Sequence, residues 1–160
     1  MQKFLQLFNR RLAEDITEMA EFKQWFEGSK VVNPDGSPLL LYHGTKKKVD
    51  TLNLKGTYYW GIYATALKEY ARKYGPIILS LYMSIKNPLI LHAGQDMSIE
   101  HGEIRLDGEI VGFYRELDMD VISFLQQKGY DGIIVIYKGI YCFEAVAFSS
   151  DQVKIVSIEE

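Results

Sequence analysis

Leu39-Leu40-Leu41-Tyr42-His43-Gly44-Thr45 is an apolar run of strand length that ends abruptly in histidine, glycine and threonine. Apolar residues followed by turn formers predict a buried strand, and a glycine just after it lets the backbone turn or lie against a ligand. We therefore expect a hydrogen-bonding side chain, His43, at the end of a core strand. The alternative is a histidine that only satisfies its own hydrogen bonds in the core, and the context of the motif decides between the two.

The composition is that of one folded domain with a sizeable core. The chain has 160 residues, 48% of them hydrophobic, and a formal net charge of −3, which gives no sign of nucleic-acid binding. Cys142 is the only cysteine, so we expect no intrachain disulfide and no cysteine metal site, and a reducing compartment fits. The start, Met1 to Leu12, lacks the apolar core of a signal peptide, and no window has membrane-spanning length. We expect a cytoplasmic protein, or one delivered into a host cytoplasm, with no membrane partner.

The apolar periodicity predicts helices first and strands afterwards. Amphipathic helices are expected over 4–12 and 19–26, and shorter ones from Thr65 to about Tyr74 and from Asp118 or Asp120 to Gly129. The segment 92–116 is broken by glycines and is interpreted as a hairpin or a mobile excursion. The predicted strands cover 38–43, 58–65, 77–85, 89–91, 133–137, 140–148 and 153–158. This order indicates an α+β fold with mostly antiparallel pairing, in a single domain with a helical part over 1–28 and a core over 38–158.

Three further residues are candidates for chemistry. Glu144 lies in an otherwise uncharged strand, where alternation places it on one face with Cys142, Val146 and Phe148. A carboxylate on an apolar face is costly unless it has a partner or lines a cleft, although an edge-strand glutamate facing solvent is the alternative. Tyr63 and Tyr74 flank a strand-to-helix turn and could sandwich a flat ring, or could both be core aromatics.

These candidates come from separate segments, as the residues of a ligand site often do. A hydrogen-bonding group at a strand end, two stacking rings and a buried carboxylate suit a ligand with a ribose, an aromatic ring and a developing positive charge. Nicotinamide riboside chemistry matches, because the sugar becomes oxocarbenium-like when the bond breaks and a fixed carboxylate stabilises that cation. The glycine fingerprint of hydride-transferring NAD enzymes is not present. His92 and His101 do not have metal-ligand spacing, and no metal is expected.

The order of the motifs resembles that of the His-Tyr-Glu ADP-ribosyltransferases, and more closely the ADP-ribosyltransferase domains of phage and mobile-element polyvalent proteins. The resemblance runs from about residue 18 to residue 158. Its motifs are Phe22-Lys23-Gln24-Trp25-Phe26, Asp35-Gly36, Tyr42-His43-Gly44-Thr45, Gly61-Ile62-Tyr63, Ala71 to Tyr74, Asn87-Pro88, Gly129-Tyr130-Asp131-Gly132, Glu144, Phe148 and Gln152-Val153-Lys154.

The resemblance implies two packed, mostly antiparallel sheets with N-terminal helices and short connecting helices, and NAD bound as substrate in the cleft between the sheets. It implies that His43 hydrogen-bonds the adenosine-side ribose, supported by Thr45. The backbone of Gly44 would hold the nicotinamide carboxamide, and Tyr63 and Tyr74 would stack on the nicotinamide ring.

By the same resemblance, Glu144 is the catalytic carboxylate, assisted by His43 and Tyr63. There are two departures from the pattern. Ala71 stands where the polymerase relatives often carry a serine that contacts the carboxamide, so one hydrogen bond is missing. Cys142 stands two positions before Glu144, where arginine-modifying relatives carry glutamate or glutamine, which weakens the case for an arginine acceptor.

The expected activity is transfer of one ADP-ribose from NAD to a macromolecular acceptor, with a protein favoured and a nucleic acid left open, as in a toxin-like bacterial or phage effector. An NAD glycohydrolase, in which water replaces the acceptor, is an alternative. A non-catalytic NAD-binding or structural accessory module of a mobile element is another. An RNA 2′-phosphotransferase shares the implied scaffold, but the acidic balance of the chain argues mildly against it.

Overall fold

The computed structural model describes residues 1–4, 7, 15–56, 59–94 and 102–160. The helix expected over 4–12 falls largely outside the described residues. The second expected helix is present as α1 (Ala20–Phe26), whose Phe22 and Phe26 are buried in a cluster with Tyr82. The described helices include none that is long and apolar enough to cross a bilayer.

Strands make up more of the described chain than helices do, and the two helices that follow α1 are short. The elements after α1 are β1 (Leu41–Thr45), β2 (Ile62–Thr65), α2 (Lys68–Ala71), β3 (Ile77–Met83), β4 (Pro88–Ala93), β5 (Glu103–Leu106), β6 (Glu109–Phe113), α3 (Met119–Gln127), β7 (Gly132–Tyr137), β8 (Ile140–Ala147) and β9 (Val153–Glu159). Single 3₁₀ turns lie at Arg72–Tyr74 and Ser150–Gln152.

Seven of the strands form one continuous sheet in the order β4-β7-β8-β2-β1-β3-β9, and β5 and β6 form a separate hairpin. Neighbouring strands are antiparallel except β4 and β7, which run parallel. An α+β fold with mostly antiparallel pairing is therefore compatible with the structure. The structure does not have the expected pair of packed sheets. Instead, β8 pairs with both β7 and β2, and this pairing joins β4 and β7 to β2, β1, β3 and β9 in one sheet.

One predicted segment differs in detail from the structure, and one of two alternatives for another is confirmed. Thr65 does not begin a helix: it ends β2, and its hydroxyl accepts a hydrogen bond from the Leu67 N–H, so the helix starts at Lys68. The segment over 92–116 forms a hairpin where it is described, with Ile104 fully buried. That hairpin leads directly into two residues of the candidate site.

The large sheet separates two apolar clusters. The first holds Val146 and Phe148 together with Leu117, Ile122 and residues from β4 and β7. The second holds Cys142, Ala145 and Ala147. Glu144 shares the face of Val146 and Phe148, as alternation predicts, because it bonds Tyr114 of the first cluster. Cys142, expected on that face, is buried in the opposite cluster, so this part of the prediction is wrong.

Candidate active site

Three neighbouring strands in the middle of the sheet bring the sequence-predicted residues together. In the order β8-β2-β1, these strands carry Glu144, Tyr63 and His43. Glu144 lies opposite Thr65 in the β2–β8 register, and Tyr63 lies opposite Val146. Residues that are far apart in the chain thus become close because sheet pairing places their strands side by side.

The sheet begins to separate between β1 and β2. The registered pair between these strands is Tyr42 with Thr65. At the next residue of β1, the His43 ring spans the gap, with its Nδ1 atom 2.5 Å from the carbonyl oxygen of Tyr63. A carbonyl oxygen only accepts, so Nδ1 carries the proton and Nε2 of the neutral ring remains as an acceptor. The gap is a place where a ligand can meet both strands.

Burial lowers the pKa of His43, and this effect outweighs the hydrogen bond to Tyr63, which raises it. An unfolded histidine takes up a proton near about pH 6.5. Acidification from neutral pH therefore protonates His43 in the unfolded chain before it does so in the folded one. The stability that comes from a neutral His43 is present above that pH and is lost as the pH falls.

We expect His43→Gln to remove this contribution to the pH dependence. As the pH falls from about 7.5 to about 5, the wild type should lose this contribution and the variant should not, so the difference between their Tm values should shrink. Thermal unfolding followed by circular dichroism across this range measures the difference. A Tm difference that stays constant with pH would show that His43 does not titrate differently in the two states.

Glu144 is 2% exposed and is held by two groups from the segment after β6. The Tyr114 hydroxyl donates to its Oε1, and Arg115 Nη2 lies 2.9 Å from Oε1 and 3.0 Å from Oε2. A buried carboxylate is tolerated in an apolar sheet only with such partners. The pKa of Arg115 is lowered by burial but raised more strongly by the Glu144 carboxylate, so the net shift is upward. The Arg115 guanidinium is therefore charged.

Aromatic rings surround this ion pair. The guanidinium carbon of Arg115 lies 5.1 Å from the ring centre of Tyr63, 5.5 Å from that of Tyr74 and 5.0 Å from that of Tyr114. The Tyr63 hydroxyl donates to the Tyr114 carbonyl at 2.5 Å, and burial raises the pKa of Tyr63. Tyr63 and Tyr74 thus flank one flat group, although that group belongs to the chain itself.

Tyr114, Arg115 and Tyr70 also belong to the site, although no sequence pattern singled them out. Tyr70 accepts a hydrogen bond from Arg115 Nη2 at 3.3 Å and packs edge-on against Phe143. Tyr114 and Arg115 come just after β6, in the segment whose glycines hid its structure. The residues before them, Glu109-Ile110-Val111-Gly112-Phe113, do not alternate strictly between polar and apolar side chains, so no periodic pattern marks this segment.

A backbone irregularity in β8 explains the orientation of Cys142. The β7–β8 register shifts between Val135 and Tyr137, and Cys142 has φ 53°, in the left-handed region. A bulge of this kind breaks the alternation and redirects side chains, often next to a functional site. Burial raises the pKa of Cys142 to about 12, so this thiol is not a nucleophile. Cys142 lies in the opposite cluster from Val146 and therefore does not face the site beside Glu144. For this reason the identity of residue 142 does not indicate whether the acceptor is an arginine.

The remaining predicted residues are engaged in local packing. A Cβ on Gly44 would lie 1.8 Å from the Ala71 carbonyl oxygen, so glycine is required there by the close approach of α2. Ala71 itself is buried. The Thr45 hydroxyl exchanges hydrogen bonds with the backbone of Lys47 at 3.2 and 3.3 Å. Tyr74 is 38% exposed and forms the outer wall of the site.

Within the described ranges, no group of three or more histidine, cysteine, aspartate or glutamate side chains is arranged to hold a metal ion. The described site residues supply one carboxylate with a guanidinium paired to it, a neutral imidazole and tyrosine rings. A carboxylate fixed by a neighbouring hydroxyl is preorganised to stabilise positive charge that develops beside it.

Comparison with known proteins identifies one family. The family model described as ADP-ribosyltransferase in polyvalent proteins matches residues 33–160. No curated protein matches the chain. The matched range contains all the strands of the large sheet and every side chain of the site described above.

Proposed function

The chain belongs to the ADP-ribosyltransferases of polyvalent proteins, and we propose that it cleaves the nicotinamide–ribose bond of NAD and transfers one ADP-ribose to a protein acceptor. The observation that carries this proposal is Glu144, a carboxylate 2% exposed on a middle strand of the sheet and hydrogen-bonded to the Tyr114 hydroxyl. Such a residue is costly to a fold and is expected where positive charge must be stabilised.

The proposed reaction balances as a substitution at the ribose carbon C1′. The bond between C1′ and the nicotinamide nitrogen breaks, and its electron pair goes to that nitrogen, which becomes neutral. A nucleophile of the acceptor forms the new bond to C1′ and releases its proton. As the bond breaks, the sugar carries oxocarbenium-like positive charge, which the Glu144 carboxylate stabilises.

The other residues have supporting roles in this proposal. His43 is neutral at pH 7 because burial lowers its pKa, and its Nε2 atom accepts a hydrogen bond from a ribose hydroxyl. Tyr63 and Tyr74 stack on the nicotinamide ring. The Tyr114 hydroxyl, bonded to Glu144, orients the carboxylate. Gly44 lets the strand lie against α2, which keeps Tyr74 near the site.

The test is incubation of the purified protein with NAD labelled on the adenine side, with and without bacterial lysate, beside Glu144→Gln. Released nicotinamide together with label on a discrete protein band, both lost in the variant, supports the transferase. Released nicotinamide without labelled protein or nucleic acid indicates hydrolysis. Release at the same rate in wild type and variant contradicts the assigned role of Glu144.

We expect Tyr74→Leu to raise the KM for NAD about two- to tenfold with a small change in kcat, because a stacked ring pair contributes about 0.5–1.5 kcal/mol beyond area burial. Tyr74→Phe retains the ring and should retain the KM. Initial rates of nicotinamide release over a range of NAD concentrations measure both constants. Equal KM values for the leucine and phenylalanine variants would rule out stacking on Tyr74.

A further inference from the structure

The guanidinium of Arg115 occupies the place that the proposed function gives to nicotinamide. It lies within 5.5 Å of the ring centres of Tyr63, Tyr74 and Tyr114, and it contacts both oxygens of Glu144. We call these three rings and this carboxylate the cation box. Guanidinium and the pyridinium of NAD share the relevant chemistry, since both are flat and carry a single positive charge that aromatic faces attract.

Arg115 is held in the cation box by one of its nitrogens. In the described part of the chain, its hydrogen bonds to Glu144 and Tyr70 all run through Nη2. The buried Nε atom has no hydrogen-bond partner among the described residues. The two-pronged pairing that makes arginine–carboxylate contacts strong is therefore not used. The side chain is well placed by its surroundings but is not fully bonded to them.

The backbone beside Arg115 is anchored by the contacts of Tyr114. Tyr114 is fully buried; its N–H donates to the Gly102 carbonyl at 2.9 Å, and its carbonyl accepts from the Tyr63 hydroxyl. On the outer side the box is closed by Tyr74, which is 38% exposed. Tyr74 is the most exposed ring of the box, so we infer that Arg115 would leave on the side of Tyr74.

We propose that the cation box is a binding site for planar monocations, that Arg115 is its own intramolecular ligand in the free protein, and that NAD binds only after Arg115 has left. This inference rests on the proposed function for the identity of the competing ligand, though the guanidinium site itself does not depend on NAD. Arg115 and NAD exclude each other from the cation box for a steric reason and an electrostatic one. One flat group fills the space between the rings, and a guanidinium beside Glu144 would repel the cation that forms on the ribose.

Removal of the Arg115 side chain tests the proposal directly. We expect Arg115→Ala to bind NAD about tenfold more tightly than the wild type, since the apparent affinity is reduced by the fraction of protein in which the site is closed. Ethylguanidinium at about 10 mM should raise the Tm of Arg115→Ala, because a ligand that binds the native state stabilises it, and should compete with NAD. The same probe should leave the wild type unchanged, and ethylammonium should have no effect on either protein.

Arg105→Ala is the matched control, because Arg105 lies in the same hairpin, in β5, and pairs with Glu103 away from the box. Its NAD affinity should equal that of the wild type. Weaker NAD binding by Arg115→Ala than by the wild type would overturn the proposal and make Arg115 an NAD contact. Failure of ethylguanidinium to shift the Tm of Arg115→Ala would also overturn it.

The outcomes separate this inference from the proposed function. If neither protein binds NAD, the proposed function fails, and the ethylguanidinium shift alone decides whether the guanidinium site exists. If Arg115→Ala does not fold alone, recovery of its folding by ethylguanidinium supports the proposal and absence of recovery counts against it. Arg115→Lys then supplies the NAD comparison: it keeps a charge beside Glu144 without a flat group, and should bind NAD more tightly than the wild type.

Discussion

Glu144→Gln is expected to lower the rate of nicotinamide release from NAD by about 10²–10³-fold, the cost typical of removing one preorganised electrostatic group from an active site. The amide preserves the size of the side chain and its contact with the Tyr114 hydroxyl. It removes the negative charge that stabilises the developing ribose cation. Because the loss occurs in the transition state, kcat should fall and the KM for NAD should change little.

The controls for this variant address its effect on folding. Glu144→Gln leaves Arg115 as a buried charge without its carboxylate, and breaking a buried pair in this way costs about 3–5 kcal/mol. The double variant Glu144→Gln with Arg115→Gln removes both charges and should recover stability but not activity. Glu116→Gln, at an exposed position close by, should retain the wild-type rate. A double variant with wild-type nicotinamide release would exclude Glu144 from the chemistry.

Gly44→Ala is expected to destabilise the protein by about 3 kcal/mol or more, at or above the upper end of the usual cost of overpacking. The added Cβ would lie 1.8 Å from the Ala71 carbonyl oxygen and 2.8 Å from its carbonyl carbon. Both contacts are with backbone, so no side-chain rotation relieves them. Relief requires α2 to move away from β1, and that movement also displaces Tyr74. Urea unfolding measures the change in the free energy of unfolding.

Gly36→Ala separates this packing effect from the conformational cost of replacing a glycine. Gly36 has φ +86°, and a Cβ there meets nothing within 4 Å. Its substitution should therefore cost only the left-handed backbone penalty of about 1–2 kcal/mol. A Gly44→Ala variant as stable as Gly36→Ala would mean that α2 and β1 are not in close contact in solution.

Several residues of the candidate site were found from the sequence because each breaks a local pattern. Glu144 is a charge inside an uncharged strand, and His43 follows an apolar run directly. Their strands, β1 and β8, lie on either side of β2, and this placement follows from the sheet order that the structure shows. The catalytic and binding roles assigned to His43, Gly44, Thr45, Tyr63, Tyr74, Ala71 and Glu144 stay predictions, of which the activity measurements above test those of Tyr74 and Glu144.

The orientation of Cys142 was not predictable from alternation. Strict alternation places it on the face of Glu144, but the left-handed φ of 53° within the β8 bulge turns it into the opposite cluster. Bulges depend on the register between two strands, here β7 and β8, and that register is a property of the pair. The helix over 65–74 was too long for a related reason, since β2 pairs with β8 as far as Thr65.

The sequence by itself determined the α+β character, the strands of the sheet and the unusual carboxylate, because these follow from local periodicity and from the cost of burying charge. Only the tertiary structure decided what surrounds Glu144. Tyr114 and Arg115 reach it from a hairpin whose own sequence carries no sign of a site, and their positions depend on packing between segments distant in the chain. Such contacts arise when separate elements fold against one another, and no local pattern of residues encodes them.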